Sequence, residues 1–244
     1  MSSFRLVSWN LFGLEPHRLD ERTEAACLQL LLEQPPDVVV LQEVVDRTLM
    51  AHLLPHFRAA GFTFAPTRPV SDSSYYCAIA AGPRMVPTGA WRRPFPGSQM
   101  GRALLVMDLT FADQPLRVAT GHLESLAEGR SQRRAQVSMV AEALTEAPGR
   151  AVFAGDTNLR GEVEQLLAPH GVRDAWRMVG SPSQGAVTWW PLARRRPRTG
   201  PRFDRLWLAP GLDARSVRVV DAKEADGGRI SDHAYLEAEL LAVG

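Results

Sequence analysis

Only two cysteines occur in 244 residues, no apolar run approaches the length that crosses a bilayer, and neither sign of charge dominates. Each shortage excludes a class of protein. Two thiols, Cys27 in a helical pattern and Cys77 in a strand pattern, make neither a disulfide framework nor a zinc cage, so both are expected to pack. Without a long apolar run, no membrane is expected among the partners. The first strand-like stretch, FRLVSWNLFGL, begins at Phe4 and leaves no room for a leader, so the expected location is the cytoplasm. Lys and Arg total 28 against 27 Asp and Glu, and a net charge of +1 exerts no whole-molecule pull on nucleic acid. A polyanion must be held by local clusters. Candidates are Arg92 with Arg93, then Arg130, Arg133 and Arg134, then ARRRPRTGPRFDR with Arg194, Arg195, Arg196, Arg198, Arg202 and Arg205. The last run reads equally well as a solvated Pro/Arg loop.

What is present supports a substantial core, since 45% of the residues are hydrophobic. Strand-like runs fall near residues 4–10, 37–42, 75–81, 103–111, 116–123, 151–155, 203–209, 215–220 and 234–241. Helical patterns lie between some of them. HRLDERTEAACLQLLLEQ places Leu19, Ala26, Leu30 and Glu33 at helical spacing, and DRTLMAHLLPHF and SQRRAQVSMVAEALTEA behave similarly. Pro35-Pro36 stops the first and Pro148-Gly149 the third. No repeat or linker divides the chain, so a single α/β domain over residues 1–244 is predicted, with two facing mixed sheets flanked by helices. The Pro/Gly-rich segments 82–101 and 180–202 read as long loops. His17, His52, His56 and His170 read as surface residues without a carboxylate partner at a strand end, and Trp9, Trp91, Trp176 and Trp207 as packing.

Polar residues recur where the apolar runs end: Asn10, Glu43, His122 and Ser125, Asp156 and Asn158, and Ser231-Asp232-His233 at the start of the last strand. Singly they have plain readings, Asn10 as a turn, Glu43 as a helix cap, His122 as a hydrogen-bonded core histidine. Together they predict a pocket, because burying so many polar groups is costly unless they pair with one another, a metal or a substrate. Carboxylates without thiolates suit Mg²⁺ or Mn²⁺ better than zinc, and magnesium shares its oxygen ligands with substrate phosphate.

WN at 9–10, LQE at 41–43, GDTN at 155–158 and SDH at 231–233 resemble the ordered motifs of the endonuclease/exonuclease/phosphatase superfamily. Within it, MGRALL, GHLES, FAGDTNLR with Arg160, DAW, TWW and RFDRLWL resemble the tyrosyl-DNA phosphodiesterase 2 branch. The resemblance implies a DNase I-like four-layer α/β sandwich and Mg²⁺-dependent hydrolysis of a phosphodiester, with Mn²⁺ as a substitute. It implies metal binding by Glu43 with Asn10 and Asp232, water activation by Asp156 with Asn158 orienting the water, and transition-state stabilisation by His233 held by Asp204. His122, Arg102, Ser125 and Trp189 would meet the substrate, while Arg194, Arg195 and Arg196 are substrate-binding candidates from their local charge alone, in a loop where the family leads one to expect a more neutral wall. One departure is Phe12 in WNLFGL, where the family carries an acidic residue that could serve an outer metal shell. The expectation is a monomeric hydrolase of 5′-phosphotyrosyl, protein-adducted nucleic-acid ends, DNA foremost. The alternatives are an abasic-site endonuclease or 3′ exonuclease, a phosphatase of small phosphoesters, and a non-catalytic nucleic-acid-binding module.

Overall fold

A computed structural model describes residues 2–32, 34–70, 73–159, 164–180 and 186–243. Glu33, Arg160 and residues 181–185 of the second long segment lie outside the described residues. In chain order the elements are β1 (Ser3–Asn10), α1 (Leu19–Leu31), β2 (Val38–Val44) and α2 (Asp46–Thr48), which runs through a π turn (Leu49–Leu53) into α3 (Leu54–Ala59). Next come β3 (Thr63–Ala65), β4 (Tyr76–Ala81), β5 (Val86–Pro94), β6 (Ala103–Phe111), β7 (Gln114–Thr120), α4 (Arg130–Thr145), β8 (Arg150–Asp156) and α5 (Glu164–Leu167). The chain closes with β9 (Arg173–Asp174), α6 (Ala175–Met178), β10 (Asp204–Leu208), β11 (Leu212–Val220) and β12 (Tyr235–Ala242).

These form two six-stranded mixed sheets, ordered β11-β12-β1-β2-β4-β3 and β5-β6-β7-β8-β10-β9. The inner strands are apolar on both faces because both faces are covered, and alternate residues serve different layers. Phe4, Leu6, Val38, Val40 and Ile79 of the first sheet meet Met107, Val118, Val152, Ala154 and Leu206 of the second between the sheets. Their neighbours Val7, Trp9, Val39, Leu41 and Ala80 point the other way, under α1, the π turn and α3. On the far side, Val106, Ala119, Phe153 and Trp207 are covered by Val137, Val140 and Leu144 of α4. The result is the four-layer sandwich expected from the sequence. Cys27 and Cys77 are both buried, where desolvation pushes each thiol up to about 12, so packing is their role.

Two expectations are corrected. Residues 82–101 are not one loop, since Val86–Pro94 form β5, paired antiparallel to β6 with a bulge between Pro87 and Gly89. It is an edge strand, and proline, glycine and exposed side chains at an edge hide the alternation that marks inner strands. The helix read from DRTLMAHLLPHF forms, but with a π turn in its middle: Pro55 has no N–H to give, and the Leu54 N–H reaches back to Leu49 O. Among the described residues no helix is long and apolar enough to cross a membrane.

Topology brings the polar strand ends together. β1 and β2 are parallel, as are β7 and β8, so Asn10, Glu43, His122 and Asp156 stand at carboxyl ends. β10 and β12 run antiparallel to these pairs, which puts their starts, Asp204 and the residues just before Tyr235, at the same rim.

Candidate active site

Asp156 is the centre of this rim. The end of β8 pairs with Asp204 of β10 on one side and forms a parallel bridge with His122 on the other. Gly155 makes the approach possible, because a Cβ there would lie 2.2 Å from Gly121 O. One carboxylate oxygen, Asp156 Oδ2, faces Asn10 Nδ2 at 3.0 Å, His122 Nε2 at 3.2 Å and His233 Nε2 at 3.6 Å. The other accepts the backbone N–H of Asn158 at 3.1 Å, a turn that holds Asn158 at φ 51°. Asn158 then donates through Nδ2 to Leu123 O at 3.0 Å and Ser125 Oγ at 3.2 Å.

Glu43 comes to the rim through a break in strand register. Between Leu41 and Val44 β2 bulges against β4, and Glu43 adopts φ 53°, a conformation that costs a non-glycine residue about 1–3 kcal/mol. Its Oε1 accepts from Asn10 Nδ2 at 3.2 Å and lies 3.9 Å from His122 Nδ1, whereas its Oε2 is buried without a hydrogen-bond partner. Gly13 packs beneath this bend, where a Cβ would meet Glu43 O at 1.9 Å. Asn10 spends its Oδ1 on the Phe12 N–H, so its amide bridges Glu43 and Asp156 and sets their spacing.

His233 is fixed from several directions. Its Nδ1 lies 2.9 Å from Asp204 Oδ2, its N–H donates to Ser231 Oγ at 3.0 Å, and its carbonyl accepts from Trp9 Nε1 at 3.1 Å. Burial alone would lower the imidazole pKa, but the Asp204 and Asp156 carboxylates reverse that and lift it from 6.5 to about 10. Burial likewise works against the Asp156 carboxylate, yet His122 and then His233 hold it well below the ordinary carboxylate range. The rim therefore stores an imidazolium against an anion in nearly dry surroundings.

The remaining predicted residues fall into three groups. Arg102 and Ser125 join the centre: Arg102 Nη1 donates to Ser125 Oγ at 2.8 Å and to Leu123 O, and its Nε donates to Tyr75 Oη at 3.1 Å. Asp232 and Trp189 pair with each other, the indole N–H donating to Asp232 Oδ2 at 2.7 Å, which leaves Asp232 Oδ1 buried without a partner. Burial pushes that carboxyl up. The basic loop divides: Arg194 and Arg195 are exposed, while Arg196 donates to Val187 O at 2.9 Å and lies over Trp190 at 5.3 Å. Arg202 and Arg205 belong to the fold, paired with buried Asp174 at 2.5 Å and 3.3 Å.

Three supporting residues had no role assigned from sequence. Arg22 of α1 is buried and donates to the carbonyls of Leu11, Phe12, Glu15, His17 and Ile230, pinning the loop after β1 to the segment before Ser231. Glu124 accepts from Ser98 Oγ and the Gln99 N–H and orders the turn before Arg102. Tyr75 orients Arg102. Glu124 sat inside GHLES and was legible as part of it, whereas Tyr75 and Arg22 carry no local signal. His52 and His56, read as surface residues without a carboxylate partner at a strand end, are partly buried and both contact Glu24. That partner lies on α1, far along the chain, where a search of strand ends does not look.

Glu43 Oε2 is a buried acceptor with no donor, beside further hard oxygen donors and no thiolate, and this set fits a divalent cation of the magnesium class. Comparison with known proteins agrees with the geometry. The tyrosyl-DNA phosphodiesterase 2 of Gallus gallus is 32% identical over 246 residues, covering 95% of this chain and 65% of that protein. The Danio rerio protein of the same name is 34% identical over 248 residues with the same coverage, so the chain spans about two thirds of the length of these relatives. A crystal structure of the D. rerio protein complexed with single strand DNA product superposes with a TM-score of 0.86 at 30% identity, covering 99% of this chain and 100% of that one. The sequence profile of the Endonuclease/Exonuclease/phosphatase family matches residues 7–233, and the chain belongs to that family.

Proposed function

We propose that the protein is a divalent-metal-dependent phosphodiesterase acting on DNA ends, and specifically that it hydrolyses 5′-phosphotyrosyl linkages. The observation that carries this reading is the convergence on Asp156 of two histidines and the amide that also holds Glu43. The relatives' name, and the DNA product bound by one of them, support the substrate class.

Glu43 would hold Mg²⁺ or Mn²⁺, with Asn10 positioning its carboxylate and Asp232 nearby in the same rim. When bound, the cation supplies charge neutralisation for phosphoryl oxygens. The chain's own groups do the rest. Asp156 and Asn158 sit on one rigid turn and align a water with phosphorus. The histidines make Asp156 a weak base at rest, but as the water oxygen bonds to phosphorus the water becomes acidic enough for its proton to pass to Asp156, and the bond to the leaving oxygen breaks, giving a 5′-phosphate end and free tyrosine or peptide. His233, kept cationic by Asp204, and Arg102 face the charge that builds on the phosphoryl oxygens. A phenolate with a pKa near 10 leaves without an acid to protonate it, which relieves the site of that function.

The test is a panel of a 5′-phosphotyrosyl oligonucleotide, an abasic duplex, plain single-stranded DNA and a small phosphomonoester, each with Mg²⁺ and with Mn²⁺. Turnover of the phosphotyrosyl substrate at least a hundredfold above the others is expected. Preference for the abasic duplex or the phosphomonoester would replace this reading with another member of the family's chemistry.

A further inference from the structure

On the outer face of the first sheet, α1 packs beside the helix that runs from α2 through the π turn into α3. There His52 in the π turn and His56 in α3 lie 3.0 Å and 2.8 Å from the same oxygen, Oε2 of Glu24 on α1, through Nδ1 and Nε2 respectively. One ligand atom from each of the three falls within 4.8 Å of the others. We propose that Glu24, His52 and His56 form a binding site for a transition-metal ion of the zinc class, separate from the catalytic rim.

The proton count supplies the physical reason. A neutral imidazole carries one N–H. If His52 gives it to Glu24 from Nδ1, then Nε2 presents a lone pair to Asp20 Oδ1, 3.4 Å away, a buried oxygen with no hydrogen-bond donor. Two acceptors then face each other. A second ring proton or a metal ion on Nδ1 removes the conflict equally, and a zinc titration separates the two. With a metal there, the ring proton sits on Nε2 and points at Asp20. This is the arrangement in which metal-bound histidines are ordinarily held, the second nitrogen donating to a carboxylate. Arg47 pairs with the other oxygen of Asp20 and keeps that carboxylate in place.

The donor set decides the class of ion. Two imidazoles and one carboxylate suit zinc or cobalt(II), not magnesium or calcium, which prefer oxygen. Donors around a tetrahedral zinc lie roughly 3.3 Å apart, so the two contacts to Glu24 need to open by about 0.3–0.5 Å, and the two ring nitrogens, within 4.8 Å of each other, must come to the same spacing. Glu24 and His56 are partly exposed, leaving room for water as the remaining ligand. A bound ion would clamp α1, which carries Arg22 and through it the loop after β1, to the helix beside it.

The experiment is a zinc chloride titration of the full chain in saturating Mg²⁺, reading the thermal midpoint and the zinc retained after desalting, with cobalt(II) absorption as a second probe. The wild type is expected to retain a single equivalent, and its midpoint to rise by about 5 °C at zinc a hundredfold above its Kd. His52→Gln/His56→Gln should lose the retained zinc, the midpoint shift and the cobalt bands while keeping wild-type turnover, and Glu43→Gln should keep the zinc. Glu24→Gln substitutes for the double variant if that fails to fold. No retention by the wild type, equal retention by the histidine variants, or loss in Glu43→Gln would each overturn the proposal, leaving the cluster an ion-paired staple.

Discussion

At the rim between the sheets, His122 and His233 close on Asp156 with side chains only 5%, 6% and 2% exposed, whereas on the outer face His52 and His56 close on Glu24 with side chains 19%, 34% and 41% exposed. Each is a pair of histidines on one carboxylate, an aspartate at the rim and a glutamate outside. In the dry setting each charge depends on its neighbours, so His233 rises to about 10 and Asp156 falls well below its ordinary range. In the wet setting water screens the pair, and the cluster's value lies in the direction of its lone pairs. Burial thus turns one combination into a charge-stabilising device and leaves the other as a set of ligands.

The contrast can be broken most severely at the rim. His233→Ala should lower turnover by about three orders of magnitude with substrate affinity nearly kept, since a preorganised cation acts mainly in the transition state. A loss confined to KM, measured in steady-state kinetics, would assign His233 to binding instead. Glu43→Ala should cost about a hundredfold at low Mg²⁺ and recover in part as the metal concentration rises, checked by a metal titration of the rate. A defect indifferent to metal would remove Glu43 from the cation's environment.

Asp204→Asn sharpens the electrostatic side. In the wild type the imidazolium is present below its raised pKa, so turnover should hold to about pH 10 and fall above it, and the variant's alkaline limb should move toward 6.5. The same shift stabilises the fold: the contribution is complete below pH 6.5 and is lost as pH climbs through about 10. An unmoved limb in the pH–rate profile would detach Asp204 from His233. The smallest effect belongs to the exposed loop. Arg194→Ala/Arg195→Ala should leave turnover intact and reduce the salt slope of oligonucleotide binding by about 1.4, for two phosphate contacts on a single strand. An unchanged slope would return these side chains to the solvated surface.

Much of this site is legible in the sequence because its residues stand where strands end, and strand ends can be read from apolar runs. Asn10, Asp156 and the SDH turn are placed by that pattern, and parallel pairing then gathers them. What escapes is set by long-range geometry. The bulge that turns Glu43 inward leaves no mark in LQE, since a register shift depends on the partner strand β4. Arg22 reads as a polar position on a helix, yet it is buried because the loop after β1 folds over it. β5 escapes because an edge strand may carry proline and glycine, and the contacts of His52 and His56 escape because Glu24 lies on a different helix. The basic run ARRRPRTGPRFDR shows the opposite failure: one stretch of sequence contains exposed arginines and arginines committed to Asp174, and spacing does not separate them.

The central claim is that side chains from both sheets assemble around Asp156 to drive hydrolysis of a phosphodiester. The most direct measurement is single-turnover cleavage of a 5′-phosphotyrosyl oligonucleotide by wild type and Asp156→Asn in saturating Mg²⁺, with substrate affinity measured alongside. The account expects the variant to bind the oligonucleotide within a few fold of wild type and to cleave it about a thousandfold or more slowly. Cleavage by Asp156→Asn at near the wild-type rate would contradict it.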